Sequence, residues 1–219
     1  NQITRSRPRP PKRNLQMETL VGVLKGEILV HNHCYRADEM AQIIDLSREF
    51  GYQVTAFHHA VEAYKIGDLL AANNICSAMW ADWWQFKLES FDGIKENVAM
   101  VQAAGACAIV HSDSATGIQR LNQEAAKAMA AGQRLGLRVD ASVALTWITR
   151  NAAQALGVAD QTGTLAVGKM ADMVLWSHPP MSVYARAETV FIDGVRRLDR
   201  AAGLSPVTDF ELGQREEVF

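Results

Sequence analysis

Residues 27–59, EILVHNHCYRADEMAQIIDLSREFGYQVTAFHH, form a predicted strand–helix–strand unit. The first β-rich apolar run ends in HNH at residues 31–33, and the second ends in His58 and His59. Between them, apolar residues recur at helical spacing until Gly51 ends the segment. Four of the six histidines therefore stand at the carboxyl ends of two neighbouring strands. Parallel α/β folds place their chemistry on that side of the sheet.

The composition is that of an ordinary globular protein. The chain has 219 residues, of which 48% are hydrophobic and 21% charged, so it can bury a substantial core. A formal net charge of −2 argues against nucleic acid and anionic membranes as partners, although RSRPRPPKR at residues 5–13 is locally basic. No apolar stretch approaches the ~20 residues of a membrane span. We favour a cytoplasmic location only slightly, because an export signal could precede Asn1.

The three cysteines, Cys34, Cys76 and Cys107, show no C-x-x-C spacing. Such isolated cysteines are typical of small buried side chains rather than of a metal or redox motif. We therefore expect all three to be reduced and mostly buried.

Strands and helices alternate along most of the chain. Strand-like runs that are apolar on both faces favour a parallel sheet covered by helices. In addition to the opening unit, the pattern predicts a helix at 15–24, a helix at 62–72, a strand at 75–80, a helix at 94–104, a strand at 106–111, and helices at 119–132 and 141–156.

The pattern changes near Asp160, where we place a domain boundary. Short β-runs punctuated by glycines follow at 164–166, 171–176 and 190–192, and Asp193-Gly194 is a hairpin signal. Turn positions in this part need positive φ or bonds from side chain to backbone, so the residues there are predicted to be structural. These residues are Gly163, Gly168, Asp172 and Gly194.

The clustered histidines predict a metal site. His31 and His33 are two residues apart on a strand and share a face, whereas His58 and His59 face opposite sides of a regular strand. Only one of the latter two is therefore expected to be a ligand. A single histidine is more often a hydrogen-bonded core residue, but four at adjacent strand ends favour one or two divalent ions, with zinc the first choice.

A later strand adds a carboxylate. His111 and Asp113 share a face at the end of the strand predicted at 106–111, so Asp113 could ligate the metal and transfer a proton. We expect His111, together with Tyr35 and Arg36 after the first strand, to contact substrate or to support the ligands. Asp113 could alternatively do no more than cap the following helix. His178 lies in the glycine-rich part and is predicted to be on the surface.

Several motifs together resemble the amidohydrolase superfamily, closest to its imidazolonepropionase-like branch. They are HNHCYRADEM, FHHAVEAYK, HSDS, TGTLAVGKMADMVLW and VFIDG, and they span about residues 10–198. The resemblance implies an α/β fold: a TIM-like (β/α)8 barrel with a metal site, beside a small β-sandwich built from both chain ends. It implies that the four strands here are the fifth to eighth of such a barrel.

The resemblance also implies roles. The fifth-strand ligand falls on His33, with His31 as alternative, and the sixth-strand ligand falls on His59, with His58 as alternative. Asp113 takes the place of the catalytic aspartate. The implied activity is metal-dependent hydrolysis of a C–N bond in a small cyclic amide, amidine or peptide-like substrate, with a metal-activated water as nucleophile.

The family's first-strand H-x-H pair and fourth-strand bridging residue have no counterpart in this chain. A barrel takes ~250 residues, so we expect the chain to be the carboxyl-terminal half of a longer enzyme, inactive alone and partnered by the missing amino-terminal half. The implied organisation is a basic connector at 1–14, a partial barrel at 15–159, a β-sandwich portion at 160–200 and a tail at 201–219. Alternatives are a catalytically silent binding or assembly module and, less favoured, a nucleic-acid binder; a homo-oligomer is left open.

Overall fold

A four-stranded parallel sheet organises the first part of the chain in the computed structural model, which describes residues 11–204. Its strands are β1 (Val30–Cys34), β2 (Val54–His59), β3 (Cys76–Met79) and β4 (Cys107–Val110), and they lie in chain order. Every neighbouring pair is parallel. All four carboxyl ends therefore meet at one edge of the sheet, as the sequence predicts for an α/β fold.

Helices follow the strands and cover one face of the sheet. Fully buried side chains there include Met40 and Ile44 from the helix after β1, Phe57 from β2 and Trp147. Gly51 ends the helix after β1 in a left-handed conformation, with φ 73°. The helices are α1 (Leu15–Leu24), α2 (Ala37–Phe50), α3 (Gly67–Ala72), α4 (Asn97–Ala103), α5 (Leu121–Arg134), α6 (Ala141–Thr146) and α7 (Arg150–Ala155), and short 3-10 turns lie at Ala63–Ile66, Leu88–Ser90 and Ile118–Arg120.

The opposite face of the sheet carries small side chains. Ala56, Ala78 and Ile109 form a second buried cluster on this face, and Ala155 of α7 packs against them. In strand register His31 pairs with Ala56, and His33 pairs with His58. Residues paired in register point to the same side, so these histidines share the face with the small cluster.

The prediction of a single helix at 141–156 is wrong. The chain leaves helical geometry at Trp147–Thr149 and forms two short helices, α6 and α7. At the break, the carbonyl of Trp147 accepts a hydrogen bond from the Val110 N–H at 3.1 Å, and the Trp147 indole donates to Gln102 at 3.0 Å. A buried tryptophan that bonds to the neighbouring strand and helix thus outweighs the helical periodicity of the segment.

The expectation of three reduced cysteines is also wrong. A disulfide joins Cys76 to Cys107, and Cys34 remains free and buried. Cys76 and Cys107 face each other in register on β3 and β4, with their Cα atoms 4.4 Å apart. Sequence spacing does not reveal this pair, because the strands bring together residues 31 positions apart.

The glycine-rich part contains a three-stranded antiparallel sheet, β5 (Met173–Trp176), β6 (Ala187–Ile192) and β7 (Val195–Asp199). Asp193-Gly194 makes the turn between the last two strands, as predicted, with φ 49° and 75°. The run at 164–166 is not a strand. One sheet is present between residues 160 and 204, so the β-sandwich and the boundary near Asp160 stay predictions.

The expected connector and tail lie largely outside the described residues. Of the connector, 11–14 is described, and Asn14 caps α1 by accepting the N–H groups of Gln16 and Met17. Of the tail, only 201–204 is described. Among residues 11–204, no helix combines the length and the apolar character needed to cross a membrane.

Asp172 ties the loop before β5 to the turn before β7. Its carboxylate accepts the Thr162 hydroxyl at 2.8 Å and the Asp193 N–H at 2.8 Å, and both bonds lower its pKa. We expect Asp172→Ala to lower the melting temperature by about 2–4 °C. Asp160→Ala, at an exposed position in the same part of the chain, is the control and should leave it unchanged. Equal melting temperatures for both variants and the wild type would contradict this role.

Candidate active site at the strand ends

Four histidines form two contacting pairs at the carboxyl ends of β1 and β2. His31 Nδ1 lies 2.9 Å from His58 Nε2, and His33 Nδ1 lies 2.8 Å from His59 Nε2. The contacts run diagonally, because His31 lies opposite Ala56 and His33 opposite His58, so each imidazole of β1 reaches a histidine further along β2. The structure therefore brings together all four histidines that the sequence singles out.

The carbonyl of Ala155 fixes the tautomer of His31. His31 Nε2 lies 2.9 Å from this oxygen, which can only accept a hydrogen bond. Neutral His31 must then donate through Nε2 and accept at Nδ1, so His58 donates to it through Nε2. The His31–His58 pair is thus hydrogen-bonded to the last residue of α7.

Both His58 and His59 contact histidines of β1, and which of the two is a ligand stays a prediction. A regular strand would turn His59 to the helix-covered face, but its backbone has φ 69° and that of Ala60 has φ 40°. This left-handed turn ends the alternation and brings the His59 ring to His33. The turn is held by Asn97, whose buried side-chain amide donates to the carbonyls of Ala60 and Val61 at 3.0 and 3.1 Å.

Glu62 stabilises the same region through hydrogen bonds of its backbone and its side chain. Its N–H donates to the Tyr35 carbonyl at 3.0 Å, and its buried carboxylate accepts the Ala37 N–H at 2.9 Å. Ala37 begins α2, so the carboxylate also lies at the positive end of that helix. The segments that follow β1 and β2 are therefore joined to each other directly.

Aromatic rings cover His59 and His111. Trp80, which follows β3, stacks on His59 at 4.4 Å and on His111 at 5.1 Å between ring centroids. Its indole donates to the Ser112 carbonyl at 3.2 Å. Tyr35 stacks on His59 at 4.8 Å. Trp80 is buried, and it therefore removes water from the imidazoles on either side.

Burial keeps three of the imidazoles neutral. It lowers the pKa of His59 to about 4 and the pKa of His111 to about 4, and it also lowers the pKa of His58. The nearby histidines add to these shifts, whereas the charge of Asp113 opposes them. Two buried nitrogens, His59 Nδ1 and His111 Nε2, have no hydrogen-bond partner among the described residues. Neutral imidazoles with free nitrogens are suited to bind a metal or a polar substrate group.

The Asp113 carboxylate lies at the same edge of the sheet and takes no part in the hydrogen bonds that stabilise the described residues. Its backbone has φ 48°, and no hydrogen bond of its side chain is found within residues 11–204. The turn before the following 3-10 helix is stabilised instead by Ser114, whose hydroxyl accepts the Gly117 N–H at 3.0 Å, and neither that helix nor α5 has a side-chain cap. Asp113 is exposed, which leaves its carboxylate accessible for chemistry.

Two other candidates lie elsewhere. The Arg36 guanidinium pairs with Asp38 at 3.0 Å on the surface, at the start of α2. His178 is exposed in the β-rich part, where it contacts Ser177, as predicted. Tyr35, the neighbour of Arg36, is the residue that faces the histidines.

Sequence reasoning missed the contribution of the segment ADWWQFK at 81–87. Trp80, Trp83 and Phe86 form one set of contacting rings, and the Lys87 ammonium lies 3.8 Å from the centre of the Tyr35 ring. The sequence signal that could have revealed these rings is their position, because four aromatic residues follow directly after a parallel strand.

The imidazole and carboxylate side chains at the strand ends are of the kinds that bind metal ions, but too few of them converge on one point to form a complete site. Among the described residues, no group of three or more histidine, cysteine, aspartate or glutamate side chains is arranged to hold an ion. Two nitrogens that share a tetrahedral zinc ion lie about 3.3 Å apart, given Zn–N bonds of ~2.0–2.1 Å. The 2.8 Å between His33 and His59 needs only a small widening to reach that separation. The pairs therefore resemble parts of a metal site that lacks further ligands.

Comparison with known proteins identifies the family of this chain. The model of the family described as "Amidohydrolase family" matches residues 25–197. This chain belongs to the amidohydrolase family. The match includes all four strand ends and the β-rich part.

Relatives share most of this chain but extend well beyond it. Amidohydrolase tasK of Hapsidospora irregularis is 32% identical over 197 residues, which are 88% of this chain and 20% of that protein. An imidazolonepropionase of Brucella suis biovar 1 is 30% identical over 166 residues, 64% of this chain and 38% of that protein. The crystal structure of an amidohydrolase from Thermotoga maritima MSB8 superposes with a TM-score of 0.78 and 30% identity, covering 88% of this chain and 49% of the other.

The lowered pKa values predict acid sensitivity. In the unfolded chain these histidines take up protons near their ordinary pKa of 6.5, whereas folded His59 and His111 do so only near pH 4. Acid therefore favours the unfolded chain, and with a chelator present the melting temperature should fall as pH drops from about 6.5 to about 4. His111→Gln should make this fall shallower, whereas His178→Gln, at the surface, should not. An identical slope in wild type and His111→Gln would contradict the prediction.

Proposed function

We propose that this chain is the carboxyl-terminal part of a metal-dependent amidohydrolase. The proposed reaction is hydrolysis of a C–N bond in a cyclic amide, an amidine or a peptide-like small molecule. One observation carries the proposal: two histidine pairs and an unengaged aspartate lie at the carboxyl edge of one parallel sheet. Membership of the amidohydrolase family supports a hydrolase that acts on C–N bonds.

His33 and His59 are the proposed metal ligands, with His31 and His58 as alternatives and Asp113 as an additional one. Zinc is the first choice because imidazole and carboxylate are its usual ligands. A divalent ion bound there would supply an activated water as the nucleophile. Burial helps these side chains, since it holds His58 and His59 in the neutral form that can donate a lone pair.

Asp113 is the proposed proton-transfer group. Its carboxylate is exposed at the strand edge and can accept a proton from the attacking water and deliver it to the leaving nitrogen. Ser114 satisfies the following turn, so Asp113 can change its protonation state without breaking a structural hydrogen bond. Trp80 and Tyr35 exclude water from one side of the reaction centre.

We further propose that preceding βα units complete the sheet as a barrel. The sheet has four strands, and β1 and β4 both have an unpaired edge among the described residues. The chain spans 49% of the Thermotoga maritima structure, which leaves room for four more units. Such units would add ligands beside His33 and His59, which by themselves are too few for a tight site.

A silent binding or assembly module is the second candidate. The absence of a three-residue metal group in the part of the chain that the structure describes favours it. Turnover by a longer chain that includes the preceding βα units separates the two candidates, because a silent module would not hydrolyse a C–N bond even if its histidines bind metal weakly.

Metal binding is tested directly on the 219-residue chain. We expect weak, substoichiometric binding of cobalt(II), followed by its visible absorption. Loss of a group that only supports a ligand typically costs 10–100-fold in affinity, so His33→Ala and His59→Ala should each cost at least about tenfold. His178→Ala serves as the matched control. Wild-type affinity in both site variants would show that the ligand assignment is wrong.

The role of Asp113 is tested in a longer chain that includes the preceding βα units. Asp113→Asn keeps the shape but removes the titratable group, and it should reduce turnover about 10²–10⁴-fold with metal still bound. Ser114→Ala, which removes the hydrogen bond to the Gly117 N–H, should cost about 1 kcal/mol of stability and leave turnover per folded molecule within a few-fold. The rates are measured on the best substrate from a panel of cyclic and acylated amides. Similar turnover in Asp113→Asn and wild type rejects the assignment.

A further inference from the structure

An aromatic pocket lies beside the histidines. It has a volume of about 440 Å³, and five of its lining residues are aromatic. The loop that follows β3 contributes most of them. The five are Tyr35, Trp80, Trp83, Trp84 and Phe86.

The pocket shares its inner wall with the proposed active site. Tyr35 and Trp80 line the pocket, and both rings also stack on His59, at 4.8 and 4.4 Å. Asp113 lines the pocket as well. A molecule that reacts at the histidines could therefore place one substituent in the pocket.

The loop that forms the pocket is held in place by its own contacts. A Cβ atom at Gly93 would collide with the Trp84 side chain, so Trp84 packs directly against this glycine backbone. The Gln85 N–H donates to the Ser90 carbonyl at 2.8 Å, and the Ser90 hydroxyl donates to the Lys87 carbonyl at 2.9 Å. A pocket formed in advance loses little entropy when it binds a ligand.

The charges around the pocket are balanced, because the Lys87 ammonium offsets the unengaged carboxylate of Asp113. Asp82, one of its two carboxylates, is already paired with the Lys127 ammonium at 2.9 Å. The Lys87 ammonium lies over the Tyr35 ring at 3.8 Å and places a positive charge at the rim. Of the ligands that aromatic walls attract, a neutral flat ring is therefore preferred over a cation.

We propose that this pocket binds a neutral aromatic substituent of the substrate and so selects for substrates that carry one. The inference rests on the proposed function, since it takes the histidine pairs as the reaction centre. The residues that determine specificity are Trp83 and Phe86, which line the pocket and do not touch the histidines. Both are more than half exposed, at 51% and 57%, so their truncation should leave the fold intact.

The test is a titration of the ¹⁵N-labelled 219-residue chain, with a chelator present so that no metal takes part. The probes are N-acetyl-phenylalaninamide, N-acetyl-alaninamide and the cationic N-acetyl-argininamide. Dissociation constants come from shifts of the indole N–H signals, and the remote indoles of Trp147 and Trp176 are internal controls. We expect the aromatic probe to bind at least about tenfold more tightly than either of the others.

Variants assign the binding to the pocket. Trp83→Ala and Phe86→Ala should each weaken binding of the aromatic probe about fivefold or more. Phe91→Ala is the matched control, because Phe91 is exposed in the same loop and does not line the pocket. Melting temperatures confirm that each variant is folded.

Four results would overturn the proposal: no saturable binding of the aromatic probe, equal affinity for the three probes, preference for the cation, or an equal loss in Phe91→Ala. The outcome is independent of the proposed reaction. Aromatic binding without a cobalt response at His33 and His59 would retain the pocket and reject the metal site. A cobalt response without aromatic binding would retain the metal site and reject the pocket.

Discussion

The in-register parallel pairing of β1 with β2 is the constraint on which the site depends. It sets His31 opposite Ala56 and His33 opposite His58, and so leaves each imidazole of β1 within hydrogen-bonding distance of a histidine further along β2. A slip of one residue would turn His31 and His33 to the helix-covered face, because side chains alternate along a strand. The buried apolar residues on that face therefore fix the chemistry as well as the fold.

The ends of the strands depart from regular geometry at two of the proposed site residues. His59 and Asp113 both have positive φ, a conformation that costs non-glycine residues of order 1–3 kcal/mol and tends to occur at functional sites. Neighbouring polar groups stabilise these turns. Asn97 holds the carbonyls that follow His59, and Ser114 holds the turn that follows Asp113. Residues that never touch a substrate thus set the direction of those that could.

Aromatic cover gives the site its electrostatic character. Trp80 lies against both His59 and His111, and burial lowers the pKa of each to about 4. The same exclusion of water strengthens any interaction between these side chains and a charge that develops nearby. The loop that carries Trp83 and Phe86 extends this cover outward into a pocket. Burial of the catalytic groups and recognition of a ligand would thus rely on the same rings.

The sequence by itself determined the order of strands and helices in the parallel unit, the Asp193-Gly194 hairpin and the placing of four histidines and Asp113 at strand ends. These features follow from local periodicity and turn chemistry, which short segments carry on their own. Only the tertiary structure decided the break at Trp147, the Cys76–Cys107 disulfide and the inward turn of His59. Each of these depends on a partner from a distant part of the chain, such as Val110 for Trp147 and Asn97 for the turn after His59. No local pattern reveals such partners, because folding alone brings them together.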